Sequence, residues 1–125
     1  MRLLLDSHAY LWWLGDDQRL SATARAAVAD PGNAVYVSAA TVWEVCIKAA
    51  LGRLDLGGSD IVAEIAANGF LDLAITAAHA AQAAALPHHH EDPFDRMLIA
   101  QADLEYLCCV TRDPVFAAYQ VPTIW

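Results

Sequence analysis

The stretch Arg2-Leu3-Leu4-Leu5-Asp6-Ser7-His8 opens the chain with three consecutive leucines between a base and an acid. Residues apolar on both faces of a short run read as a strand buried on both sides, which is the signature of a parallel sheet covered by helices. Ala34-Val35-Tyr36-Val37 and Leu107-Cys108-Cys109-Val110 repeat the pattern. Phe70–Ile75 alternates apolar and polar residues and reads as a shorter or edge strand. Val121–Ile124 is a last edge strand, since Pro122 excludes a central position.

Helical patterns fill the intervals. Ser7 is expected to cap a helix over His8–Leu14 that Gly15 closes, and Ser21 a second helix to about Ala29. Ser38 or Thr41 caps a long helix to Leu51 with Gly52 at its end. Leu54–Gly58 reads as a loop, and Ser59-Asp60 open a short helix ending near Asn68-Gly69. Thr76 caps an alanine-rich helix to Leu86, where Pro87 stops it. Asp92-Pro93 begin the helix Pro93 to about Leu104, and Asp113-Pro114 start a short turn of helix. Strands alternating with helices predict an α/β fold of three layers, α/β/α, around a central, mainly parallel sheet, as one domain over residues 1–125.

Apolar residues make up 58% of the chain and charged ones 18%, enough to bury a core and too few charges for disorder. The 26 alanines favour closely packed helix. No apolar run is long enough to span a bilayer and no signal peptide is expected, so the chain reads as cytoplasmic. Cys46, Cys108 and Cys109, without a CxxC spacing, read as buried reduced thiols. Net charge is −8, with no cluster of Lys and Arg along the sequence that would mark a nucleic-acid surface. A phosphate-bearing substrate would then need a divalent ion or a basic partner to neutralise the site.

Four acids stand where an open parallel sheet binds ligands, beyond the carboxyl ends of its strands. Asp6 ends the first strand, Asp113 follows Val110, and Glu44 lies early in the helix after the second strand. Asp95 sits one turn into its helix, on the stripe of Ile99 and Ala102, where an acid facing the sheet is costly without a partner. Each has a structural reading as well. Asp113 fits an N-cap, Asp95 at N3 would complete a capping-box-like arrangement with Asp92, and Glu44 forms an i,i+4 pair with Lys48. Asp6 is the hardest to explain by structure alone. Together, like charges about 4 Å apart repel by roughly 4 kcal/mol per pair at an effective dielectric near 20, so such a cluster requires protons or cations. Carboxylate oxygens suit Mg²⁺ or Mn²⁺.

These residues resemble the PIN-domain nucleases and, within them, the VapC-type toxins of bacterial toxin–antitoxin pairs. The resemblance runs through Leu3-Leu-Leu-Asp6-Ser-His, Ser38-Ala-Ala-Thr-Val-Trp-Glu44-Val-Cys-Ile-Lys48, Gly52-Arg-Leu, Asp92-Pro-Phe-Asp95-Arg-Met-Leu-Ile-Ala-Gln-Ala102, Val110-Thr-Arg-Asp113 and the closing Tyr119-Gln-Val to Ile124-Trp125. It covers nearly the whole chain in order, and Asp-Pro-Phe-Asp-Arg is its most specific part. It implies a PIN-like fold, Asp6, Glu44, Asp95 and Asp113 as catalytic metal ligands, and Mg²⁺- or Mn²⁺-dependent endoribonuclease activity on structured RNA such as transfer or ribosomal RNA. It also implies a homodimer and a VapB-like antitoxin that blocks the site. Many relatives carry Asn where this chain has Arg112; Arg112 either bridges to phosphate or pairs with an acid and holds it off the metal.

Other residues stay outside the catalytic set. Lys48 and Arg53 are candidates for phosphate contact or for ordinary surface roles, and Arg96 for a support contact by family analogy. Ser7 and Thr111 are candidates to hold a ligand carboxylate. His8 lies two residues from Asp6, with a structural role at least as natural there. His88-His89-His90 reads as a solvated loop. Tyr10-Leu11-Trp12-Trp13-Leu14 and Trp43 exceed what one core-facing stripe needs, and an exposed remainder would serve dimerisation or antitoxin docking. A response-regulator module wants a lysine at a strand end, and the only lysine is Lys48. A haloacid-dehalogenase-type phosphatase wants an acid where His8 stands. The alternative from another class is a catalytically silent PIN-like domain that binds a partner, and retention of all four acids speaks against it.

Overall fold

In a computed structural model that describes all residues, Met1–Trp125, β1 (Arg2–Leu5) lies at the centre of the sheet, with Leu3, Leu4 and Leu5 at most 1% exposed. It pairs in parallel with β2 (Ala34–Ser38) on one side and, beyond β3 (Leu71–Leu73) in chain order, with β4 (Cys108–Val110) on the other. β3 and β5 (Thr123–Ile124) are the edges, giving the order β3-β2-β1-β4-β5. All four pairings are parallel, so the sheet is wholly rather than mainly parallel. Pro122 precedes β5 and donates nothing; its carbonyl accepts from Cys109 N at 2.9 Å, as an edge position permits.

The helices are α1 (Ser7–Leu14), α2 (Ala22–Ala29), α3 (Ala39–Ala50), α4 (Ile61–Ala67), α5 (Ala77–Ala85) and α6 (Pro93–Glu105), with a 3-10 turn over Pro114–Tyr119. Side chains alternate across a strand, and β1 shows the consequence. Leu3 and Leu5 join one core with Tyr10, Trp12, Val28 and Ile65 from α1, α2 and α4. Leu4 joins the other with Leu98, Ile99 and Ala102 of α6 and Phe116. α3 closes the end of the sheet between them, with Val45 in the first core and Ala40 in the second. This is the three-layer α/β/α arrangement.

Local chemistry sets the ends of the helices. Asp6, not Ser7, caps α1: its Oδ1 accepts from Ala9 N at 2.8 Å. Ser38 rather than Thr41 caps α3, and Gly52 (φ 71°) takes the left-handed position that ends it. The Thr41 hydroxyl is buried without a partner. Most of the aromatic surplus is absorbed inside. Tyr10 is buried with its hydroxyl donating to Ile61 O at 2.6 Å, Trp12 is buried, and Trp13 donates to Asn68 Oδ1 at 3.0 Å. Only Trp43 stands well out, 63% exposed and edge-on to Phe94. Cys109 is buried as expected, but Cys46 is exposed, one turn along α3 from Trp43 on the outward face. No helix is long and apolar enough to cross a membrane.

Candidate active site

The sheet reverses its winding between β1 and β4, and ligands of open α/β sheets bind beyond the carboxyl ends at such a point. A cleft of about 950 Å³ opens there, and Asp6, Glu44, Asp95 and Asp113 all line it. Asp6 stays on the β1–β4 ladder through its N–H to Val110 O at 3.2 Å. Asp113 begins the 3-10 turn and divides its carboxylate. Oδ1 accepts from Val115 N at 3.0 Å, and Oδ2 lies 3.7 Å from His90 Nε2. Capping and a place in the cluster are therefore compatible at both acids.

Asp92 caps α6 as the sequence predicts, accepting from Phe94 N at 2.8 Å and Asp95 N at 3.3 Å. The capping-box alternative for Asp95 does not form. Its Oδ2 meets His90 Nε2 at 2.8 Å, and the Asp92 N–H faces His90 Nδ1 at 3.4 Å. His90, Asp95 and Asp113 offer donor atoms all within 4.8 Å of one another. Glu44 is 5% exposed and held from both sides: the Ser7 hydroxyl donates to Oε1 and Lys48 Nζ to Oε2 at 2.8 Å. The helical pair with Lys48 is thus real, but at the wall of the cleft rather than on an open surface.

Burial raises the pKa of Asp6, opposed by a hydrogen bond from Thr111 and by the Ala9 N–H and reinforced by the charge of Asp113. Burial also pushes Asp95 up to about 6; the His90 hydrogen bond opposes this, while the charges of Asp92 and Glu44 add to it. Lys48 is raised by its bond to Glu44. Asp6 senses Asp113 and Asp95 senses Glu44, and a single lysine ion-pairs with one of the four acids. Such a site binds cations or protons.

Two features escaped the sequence reading. His90 belongs to the cluster rather than to a solvated loop; the clue lies in its place two residues before a helix cap, where a chain turning into α6 brings its ring over the first turn. The second is Arg19, which joins Lys48, Arg53 and Arg112, already candidates for phosphate contact, in a basic rim. Arg19, Lys48, Arg53 and Arg112 come from separate elements to line the same cleft, so no local Lys/Arg cluster announces them. The Arg112 guanidinium lies over the Trp12 ring at 4.5 Å and forms no ion pair, so it does not hold an acid off the site. Arg19 approaches the same ring at 5.0 Å but is bound to Asp17.

The PIN domain family model matches residues 3–122 of the chain. This chain belongs to the PIN-domain family. Ribonuclease VapC22 of Mycobacterium tuberculosis (strain ATCC 25618 / H37Rv) is 31% identical to it over 128 residues, covering 98% of each chain. Among solved structures, this PIN domain is similar to VapBC2 from Rickettsia felis bound to a DNA fragment from their promoter. There the TM-score is 0.76 at 11% identity, covering 99% of this chain and 98% of that one. FitAcB from Neisseria gonorrhoeae gives a TM-score of 0.59 at 22% identity, with 98% and 96% covered. PAE2754 from Pyrobaculum aerophilum gives 0.56 at 18%, with 99% and 88% covered. At these identities the structural matches establish the fold.

Proposed function

We propose that this PIN domain is a divalent-metal-dependent endoribonuclease, using Mg²⁺ or Mn²⁺, and that it acts in the cytoplasm as the toxin of a toxin–antitoxin pair. The observation that carries the reading is the convergence of four carboxylates on one cleft, where burial raises the proton affinity of Asp6 and Asp95. The donor set fits a hard cation, being carboxylate oxygen throughout. Asp6, Glu44, Asp95 and Asp113 would hold it, and a bound ion there supplies Lewis-acid polarisation of the phosphodiester and an activated water.

The chain's own residues supply the rest. Thr111 and the Ala9 N–H partly offset the burial of the Asp6 carboxylate, and Ser7 with Lys48 fixes the rotamer of Glu44. Arg112, braced on Trp12 and free of a carboxylate partner, gives the backbone of RNA a cation on the basic rim of the cleft. The curated relative named a ribonuclease supports RNA as substrate, and the resemblance points to transfer or ribosomal RNA. A homodimer and a VapB-like antitoxin complete the proposed assembly.

The test is cleavage of structured RNA by purified protein freed of any antitoxin. Wild type is expected to cut with Mg²⁺ or Mn²⁺ and to stop with EDTA. Asp6→Ala and Asp95→Ala are expected to lose cleavage while keeping their circular dichroism. Undiminished, EDTA-resistant cleavage by Asp95→Ala would refute the metal role. A wild type that cuts nothing would return the reading to a silent, partner-binding PIN domain.

A further inference from the structure

His90 has no part in the reading above, yet its ring joins two groups of the first turn of α6. A neutral imidazole has one donor nitrogen and one acceptor. The Asp92 backbone N–H can only donate, so Nδ1, 3.4 Å away, is the acceptor. Nε2 then carries the proton and donates to Asp95 Oδ2 at 2.8 Å. The N–H···Nδ1 bond is long, but the two contacts agree on one tautomer.

The comparison with α5 shows what this arrangement changes. There the residue at N3, His79, completes a capping box by accepting from the Thr76 N–H at 3.0 Å. In α6 the N3 residue is Asp95, and a capping box would draw its carboxylate back onto the Asp92 N–H. His90 meets that N–H instead. Asp95 Oδ2 is held near Asp113, and Oδ1 makes no hydrogen bond within the chain.

His90 is itself fixed through its backbone. Arg96, only 8% exposed, donates from Nη1 to Pro87 O (2.9 Å) and His90 O (3.2 Å). From Nη2 it donates to Ala83 O and Leu86 O, both at 2.9 Å. The Tyr119 hydroxyl accepts from His90 N at 2.8 Å and donates to Pro87 O at 2.7 Å. A solvated loop has no need of a buried guanidinium spent on four carbonyls.

We propose that His90 is a positioning residue whose Nε2–H tautomer keeps the Asp95 carboxylate off the helix cap and turned into the cleft, so that the metal-binding arrangement exists before the ion arrives. This rests on Asp95 being a metal ligand. The rival assignment makes His90 a ligand itself, which would favour Mn²⁺ over Mg²⁺, since imidazole suits softer ions.

Three measurements test it. In metal-free protein labelled with ¹⁵N-histidine, the ring signals lost in His90→Gln should report Nε2–H at neutral pH, and an Nδ1–H tautomer would overturn the proposal. This reading needs neither metal nor RNA. In calorimetric titration with Mg²⁺, His90→Leu should bind about tenfold more weakly, as loss of an orienting partner does. His90→Gln, which keeps an amide donor, should recover most of that. Unchanged affinity in His90→Leu would overturn the proposal. Electron spin echo spectra of the Mn²⁺-loaded wild type should show no directly bound ¹⁴N; its presence would make His90 a ligand. A wild type that binds no divalent ion would instead strike the metal reading itself, a result distinct from a loss confined to His90→Leu.

Discussion

Asp95 is buried enough to hold its proton to about pH 6, and at neutral pH the fold carries it as an anion whose main relief is one imidazole. The residue should therefore trade stability for function. Asp95→Asn is expected to abolish metal-dependent cleavage. It should also raise the unfolding free energy of the metal-free protein at pH 7 by about 1–2 kcal/mol, because an amide replaces a poorly compensated charge. Thermal melts in EDTA check the second half, and an Asn variant less stable than wild type would contradict it. Arg112 should behave differently. With no acid to release, Arg112→Ala should leave the fold and the metal affinity intact and weaken RNA binding. The slope of log affinity against log salt should fall by about one, measured with a cleavage-dead background. At this scale the four acids were legible because strand ends and helix caps are local signals. His90 was not, because its place is fixed by Arg96 and Tyr119 from elsewhere in the chain, and a run of three histidines otherwise looks like solvated loop.

α6 does three things along its length. Asp95 faces the cleft, Arg96 clamps the loop before the helix, and Gln101, fully buried, ties the helix into the interior. The Ser38 hydroxyl donates to Gln101 Oε1 at 2.6 Å, while Gln101 Nε2 reaches Ala74 O at 3.3 Å. Ser38 also caps α3, the helix that carries Glu44. Gln101→Leu keeps the volume but strands these groups, and should cost about 2–3 kcal/mol in denaturant unfolding. A loss under 0.5 kcal/mol would show that water or a rotamer change takes over. The element pattern was readable in advance, with strand edges drifting by a residue or so, because buried runs and Pro or Gly stops are strong signals. The cap of α1 was misassigned to Ser7 since Asp6 and Ser7 both make good caps, and only the backbone turn decides between them. The surplus of aromatics in α1 looked like an interface because composition does not reveal that Trp13 finds Asn68 or that Trp12 lies beneath two guanidinium groups.

The molecule as a whole is acidic, at −8, and gathers four acids in one cleft, so its stability should depend on pH in a way that metal reverses. The folded-state pKa of Asp95, about 6, lies above its usual value near 3.8, and Asp6 is displaced in the same direction. The folded form then binds more protons than the unfolded one between those values. The stabilisation is full below about pH 4 and lost as pH rises through 6, on the order of 3 kcal/mol for Asp95. Without metal, the melting temperature contribution should fall across that window. With millimolar Mg²⁺ it should rise instead, as the ion displaces the protons. Parallel calorimetric profiles in EDTA and Mg²⁺ would sink the idea. A charge count gives no sign of the basic rim, because Arg19, the neighbouring Lys48 and Arg53, and Arg112 lie in three separate parts of the sequence and meet only once the sheet is wound.

One member of that rim also offers a built-in reporter. Lys48 is the only lysine in the chain, its side chain is 47% exposed, and it donates to a wall residue of the cleft. An amine-reactive reagent therefore has one lysine side chain to report on. The bond to Glu44 holds Lys48 protonated and unreactive. Anything that draws Glu44 away, an ion above all, should speed acylation at Lys48. Peptide mass mapping would then follow occupancy of the cleft without any substrate.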